Sequence, residues 1–379
     1  MPLAFGSPPT LVNDLAGPWM DGIRTFSADV ALGAVASLGD FSFVASFDAG
    51  ATWVTTPFAA PVGGFSAHIG WENDTYAMGG ICFDESSDMG LCNAYHNLGN
   101  VSQAAEGNHT EYNASATGVF RLLNASQTNS ESLSHSTGPG VAFTGIPPPG
   151  VTNFRVEPSA NIRLRDQTLL GTVVVTLPDD PRRLLSVIAF RSVDNGSHWH
   201  FVSVVASAMQ VPYAHEGPSE NALARLHNGS LLCVMRVEGE SGHHSPYISV
   251  VSDNEGRTWH SLRSLANRAG CVRPRLLSLD TGGLVLAGGR PNATSHDVLL
   301  WHNAKRDGED WRPYSVSYWH NRLTTNQSWI WPPAATNFSR WPRYSRSYTS
   351  LVKTGADQGY VVYEAEGRGF TLAFRFVTV

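Results

Sequence analysis

Glu220, Arg236 and Tyr348 carry a carboxylate, a guanidinium and a phenol, types that could do chemistry, and each borders a strand-like apolar run. Arg236 closes the run Leu231-Leu232-Cys233-Val234-Met235, and a guanidinium offers a rigid two-pronged donor for a carboxylate. Tyr348 lies in Ser347-Tyr348-Thr349-Ser350-Leu351. A phenol ordinarily titrates near 10 and becomes a nucleophile only with a base in hydrogen-bond reach. Glu220 precedes Asn221-Ala222-Leu223. Each has a plainer structural use: Arg236 in a rim salt bridge, Glu220 as a loop charge, Tyr348 as a strand aromatic. Tyr360 and Tyr363 lie in an apolar run and read as core. No Cys/His spacing suggests zinc, and His243-His244 sits in a Gly/Ser-rich turn as a solvated pair, so no metal or cofactor is implied.

The elements that must position these groups announce themselves by repetition. Ser46-Phe47-Asp48-Ala49-Gly50-Ala51-Thr52-Trp53 fits the pattern S-x-D-x-G-x-T-W at every fixed position. Ser192 to Trp199 departs only at the threonine, where His198 stands, and Ser252 to Trp259 only by Asn254 for Asp. A fourth, degenerate copy ends in Asp307-Gly308-Glu309-Asp310-Trp311. Asp or Asn bonds the backbone of a tight turn, Gly supplies the positive φ, and Trp fills the space between neighbouring sheets. Strand-like runs precede the turns at Phe41 to Ser46, Leu184 to Phe190 and Tyr247 to Val251. One turn of this kind per antiparallel sheet predicts an all-β propeller.

Composition agrees: charged residues are only 15% of 379, while Gly (36), Pro (22) and Trp (11) are plentiful, as short strands and tight turns require. The domain expectation is one propeller over residues 1–379, with a long glycosylatable insertion at about 63–145 that interrupts the rhythm before Pro147-Pro148-Pro149-Gly150. A net charge of −6 and the absence of Lys/Arg blocks exclude a nucleic-acid partner, and no apolar run is long enough for a membrane span. The opening residues show no signal peptide. Ten N-x-S/T sequons, at Asn73, Asn100, Asn108, Asn113, Asn124, Asn195, Asn228, Asn292, Asn326 and Asn337, point to a glycosylated protein that is secreted or held in a secretory lumen. The plainer alternative is that Asn, Ser and Gly crowd turns. Cys82 and Cys92 flank a polar loop that a disulfide could close, Cys233 reads as a buried thiol, and Cys271 is uncommitted.

The segment Ser219-Glu220-Asn221-Ala222-Leu223-Ala224-Arg225-Leu226 through Met235-Arg236 resembles the sialidase stretch N-E-x-Q-V-x-E-L-x-D-G-x-L-L-x-x-x-R. Ser347-Tyr348-Thr349-Ser350-Leu351, Gly359-Tyr360-Val361-Val362-Tyr363-Glu364 and Phe370 to Phe376 resemble the closing pattern of the same family. The resemblance covers about residues 150 to 379 and the first box. It implies an all-β, six-bladed β-propeller and a retaining glycoside hydrolase that acts on terminal sialic or related nonulosonic acids. The carboxylate of such a sugar repels a carboxylate nucleophile, so Tyr348 would attack, with Glu220 as its base. Arg236 would clamp the sugar carboxylate, Arg290 and Arg346 compete for the second arginine, and Glu364 would orient an arginine. The implied partners are sialylated or acidic-sugar glycans.

One departure stands at the front. Sialidases open with a strand bearing F/Y-R-I-P and a following acid/base Asp, yet nothing before Ser46 reads F-R-I-P, and Arg24 is a poor match. Phe154-Arg155-Val156-Glu157-Pro158 echoes the motif amid the surroundings of a later blade. Two explanations stay open: the chain begins inside an incomplete first blade, or these residues have been lost. The alternative function is a catalytically inactive Asp-box propeller that binds glycan or protein by its central face.

Overall fold

The structure, a computed structural model, describes residues 2–14, 23–25, 31–36, 41–57, 80–82, 91–95, 102–106, 109–114, 118–122, 133–136, 141–147, 150–194, 198–238, 245–265, 272–280, 283–289, 297–331, 348–365 and 367–377. Its β-branched and aromatic runs pair into six sheets. Blade 1 comprises Ile23–Thr25, Ala31–Ala36, Phe41–Ser46 and Val54–Pro57, and blade 2 Gly80–Cys82, Leu91–Tyr95, Gly118–Leu122 and Leu133–Ser136. Blade 3 is built on Thr152–Arg163, Leu169–Thr176, Leu185–Ser192 and His198–Ala206. Blade 4 holds Asn221–Arg225, Leu231–Met235, Ile248–Ser252 and His260–Ser264, and blade 5 Arg275–Leu279, Gly283–Gly289, Val298–Asn303 and Arg312–Ser315. Blade 6 has Ser350–Lys353, Gln358–Ala365 and Arg368–Phe376, with Leu3–Ala4 and Thr10–Asn13 paired along its outer strand.

The first strand of each blade contacts the first strand of the next, and the strand of blade 6 returns to that of blade 1. Six sheets thus meet round one axis, and the early residues on blade 6 close the ring. Ile23–Thr25 is the inner strand of blade 1, and it pairs with Ala31–Ala36. The interrupted stretch 63–145 contributes all of blade 2. It also supplies Ser102–Glu106, His109–Ala114 and Val141–Ile146, which extend the outer edge of blade 3 through a parallel pairing with His198–Ala206. No helix of the described residues is long and apolar enough to cross a membrane.

The boxes fold as their residues dictate. In blade 1, Asp48 accepts from the backbone N–H of Thr52 at 2.8 Å and from its hydroxyl at 2.6 Å, while Gly50 N–H donates to Ser46 Oγ at 2.8 Å. Asn254 does the same for Thr258 N–H at 2.9 Å. Where His198 replaces Thr, its ring Nδ1 still lies 2.6 Å from Asp194, so the substitution keeps the side-chain link. In the degenerate copy Asn303 accepts from Asp307 N–H at 2.8 Å and Gly308 N–H at 3.1 Å, and Trp311 Nε1 donates to Gly308 O as Trp53 Nε1 does to Gly50 O. Gly50 at φ +87 and Gly256 at φ +82 occupy the left-handed region, where a Cβ would also strike Tyr360 of blade 6 and Leu170 of blade 3. Each turn therefore packs on the preceding blade, which is how a repeated turn becomes a ring. Tyr360 and Tyr363 are buried, as expected of core, on either side of blade 6. Cys233 is a buried free thiol.

Candidate functional site

In a ring of blades whose inner strands run the same way, residues just before those strands gather at one end of the axis. Glu220 precedes Asn221–Arg225, Arg273 precedes Arg275–Leu279 and Tyr348 precedes Ser350–Lys353, the inner strands of blades 4, 5 and 6. The three sites are far apart in sequence and meet here. Tyr348 Oη donates to Glu220 Oε1 at 2.8 Å.

Arg236 comes to the same point because it is Glu220's cross-strand partner. Asn221 opposes Met235, and one step further Arg236 N–H donates to Glu220 O at 2.8 Å and Ser219 N–H to Arg236 O at 3.0 Å. Arg236 Nη1 then donates to Glu220 Oε2 at 2.9 Å and stands 3.5 Å from Tyr348 Oη. Its other terminal nitrogen, Nη2, bonds Glu238 and lies 3.9 Å from Glu216. Gly217 makes room for this loop: at φ +90 a Cβ would meet Leu185 O at 2.2 Å, beside the bond from Leu185 N–H to Glu216 O.

Arg273 supplies the second guanidinium. It is 1% exposed, its backbone N–H donates to Glu220 Oε2 at 2.9 Å, and its Nη2 is 3.5 Å from Glu220 Oε1. The guanidinium carbon lies 5.8 Å from the centroid of the Tyr348 ring, within cation–π range. Pro274 follows directly, and a proline disfavours helical backbone in the residue before it. Two residues on, Arg275 donates from Nε to Thr349 O at 3.1 Å, fixing the chain beside Tyr348.

Burial alone would raise the Glu220 pKa. The charges of Arg236 and Arg273, with the hydrogen bonds from Arg236 and Tyr348, outweigh it and bring the carboxyl down to about 2. Glu220 is thus an anion at any physiological pH. Arg236 is correspondingly held charged: burial disfavours its cation, but Glu220 more than compensates.

Of the sequence-predicted residues, the structure brings together Tyr348, Glu220 and Arg236. Arg290 and Arg346 lie outside the described residues. Glu364 is buried in blade 6 and accepts from Gly367 N–H at 2.9 Å in the following turn. Arg24 lies on the inner strand of blade 1, and Phe154 to Pro158 on that of blade 3, a later blade as the surroundings of that motif suggested. Arg273 went unpredicted; its signal is Arg273-Pro274-Arg275 directly before the apolar pair Leu276-Leu277. No cluster of His, Cys, Asp and Glu able to hold a metal occurs among the described residues.

Residues 166–339 match the BNR repeat-like domain family. No curated protein matches the sequence. Among solved structures, the Hadza microbial sialidase Hz136 superposes with a TM-score of 0.60 at 15% identity, over 96% of this chain and 68% of that one. A Dyadobacter fermentans protein of unknown function gives 0.57 at 14% identity, over 99% and 98% of the two chains. The α-L-arabinofuranosidase Arb93A of Fusarium graminearum gives 0.55 at 14% identity, over 98% of each. At such identities the likeness is one of fold.

Proposed function

We propose that this chain, a BNR-repeat propeller of the sialidase superfamily by fold, is a retaining glycoside hydrolase that releases terminal sialic or related nonulosonic acids. The observation that carries the proposal is the 2.8 Å bond from Tyr348 Oη to Glu220, with two guanidinium groups packed round the pair. Solved neighbours that include a sialidase and an arabinofuranosidase are consistent with glycosidase chemistry on this scaffold. A neutral phenol approaches the anomeric carbon of a sugar acid without the repulsion that a carboxylate would meet.

In the proposed first step Tyr348 Oη bonds to the anomeric carbon as the glycosidic C–O bond breaks. The phenol proton passes to Glu220, and the departing oxygen takes a proton from the medium. Water then attacks the same carbon and gives a proton to the medium, while the tyrosyl oxygen leaves and recovers its proton from Glu220. Two displacements return the original configuration. Proton NMR of fluorogenic sialoside hydrolysis is therefore expected to show the α-anomer of the free acid first. Initial release of the β-anomer would refute retention. Cleavage confined to a neutral arabinofuranoside would refute the acidic sugar.

The sequons favour an exported glycoprotein. Asn228 at a hairpin tip and Asn326 before a short 3₁₀ turn are both exposed, as an acceptor must be. Protein secreted from eukaryotic cells is expected to gain gel mobility on treatment with a peptide N-glycosidase, and unchanged mobility would count against this compartment.

A further inference from the structure

We propose that Glu238 is a resident carboxylate on Arg236 which a sugar carboxylate must displace, so that Glu238 sets the charge selectivity of the site. This rests on the hydrolase reading above and concerns how its substrate is admitted. The guanidinium of Arg236 has two terminal nitrogens, and Nη1 is committed to Glu220, the partner of Tyr348. Nη2 is the one that could turn to a ligand, and Glu238 already bonds it, with Glu216 at 3.9 Å behind. Glu238 is held there by the hairpin, since its carbonyl accepts from His215 N–H at 2.6 Å. Its side chain is the more open of the two, 26% exposed against 13% for Arg236, so it stands on the solvent side of the ion pair.

Charge makes the contact consequential. Glu216, Glu220 and Glu238 all face Arg236, and Arg273 faces Glu220, so in this described cluster three carboxylates share two guanidinium groups. A bound sugar carboxylate adds a fourth to this cluster unless Glu238 swings away. A neutral ligand has no such requirement. Exchange of one carboxylate for another on the same nitrogen leaves the guanidinium satisfied, which lets Glu238 act as an internal competitor.

The experiment measures binding, by calorimetry on the full chain, of the dehydrated glycal of N-acetylneuraminic acid and of its methyl ester, which lacks the charge. In Glu238→Gln the free acid is expected to bind roughly tenfold more tightly or better, the scale on which a neighbouring charge shifts such equilibria, with the ester unchanged. Glu238→Asp, which keeps the charge on a shorter arm, is expected to fall between, and it serves if Gln disturbs folding. Equal changes for acid and ester would mean a structural role for Glu238 and overturn the inference. Acid bound equally by all three proteins would overturn it too, leaving the hydrolase reading intact. Failure of every protein to bind the acid, with turnover of a neutral glycoside, would overturn both.

Discussion

Tyr348→Phe is expected to lower kcat by at least about 10³-fold, the scale on which loss of a nucleophile acts, while the protein stays folded. The separation of the two effects follows from the contacts. Only the hydroxyl is removed, and it meets Glu220 at 2.8 Å and Arg236 at 3.5 Å. Glu220 keeps its bonds from Arg236 Nη1 and from Arg273 N–H, so no buried carboxylate is stranded. The ring remains beneath the Arg273 guanidinium. Loss of one such hydrogen bond costs about 1 kcal/mol, a shift of a few degrees at most in a chain of this size. KM should change little, because the guanidinium groups stay in place. A variant with unchanged melting temperature that kept more than a tenth of wild-type kcat would remove Tyr348 from the chemistry. A fluorinated sialoside that traps the intermediate should, in turn, label the peptide containing Tyr348 in wild type and leave the Phe variant unlabelled.

What the sequence discloses and what it withholds divide by distance along the chain. The boxes are local: Ser46, Asp48, Gly50 and Thr52 bond to one another within a few residues, so their spacing alone states the turn. Glu220 and Arg236 are nearly as accessible to reading, because one hairpin of predictable register sets them opposite each other. Arg273 is different. Its contacts include Glu220 and Tyr348, on the two flanking blades, and its local signal, Arg273-Pro274-Arg275 before Leu276-Leu277, announces a strand-end arginine without saying what it meets. The first blade was obscured for a related reason: its inner strand is only Ile23–Thr25, too short to show a period of two. The strands Leu3–Ala4 and Thr10–Asn13 were hidden because their partner, Arg368–Phe376, lies at the other end of the sequence. The extension of blade 3 by Val141–Ile146 runs parallel to its neighbour, a pairing no hairpin signal announces.

Glu220→Gln is expected to cost both activity and stability, and the pH dependence distinguishes the two. Loss of a base that accepts the nucleophile's proton slows reaction by about 10²- to 10⁴-fold. The amide also leaves Arg236 and Arg273 without the charge they surround, and breaking a buried ion pair on one side costs about 3–5 kcal/mol. The proton affinity of Glu220 gives an independent figure. Its carboxyl falls from an ordinary 4.5 to about 2 in the folded protein. At about 1.4 kcal/mol per tenfold in proton affinity, that corresponds to roughly 3 kcal/mol. Because the folded value is the lower one, this stability is fully present above about pH 4.5 and is lost as pH falls toward 2. Melting temperatures of wild type and variant should therefore lie furthest apart above about pH 4.5 and converge on acidification; curves that stayed parallel would show that Glu220 is not the charged partner. The same depressed value constrains the chemistry. A carboxylate held near 2 is a weak base, so full transfer of the phenol proton to it in the resting site is unfavourable. The proton must then move as the bond to the anomeric carbon forms, with Arg236 and Arg273 beside the oxygen as its charge changes. Ionisation of Glu220 accordingly gives no acid limb to kcat/KM above about pH 4, and a limb found there belongs to another group.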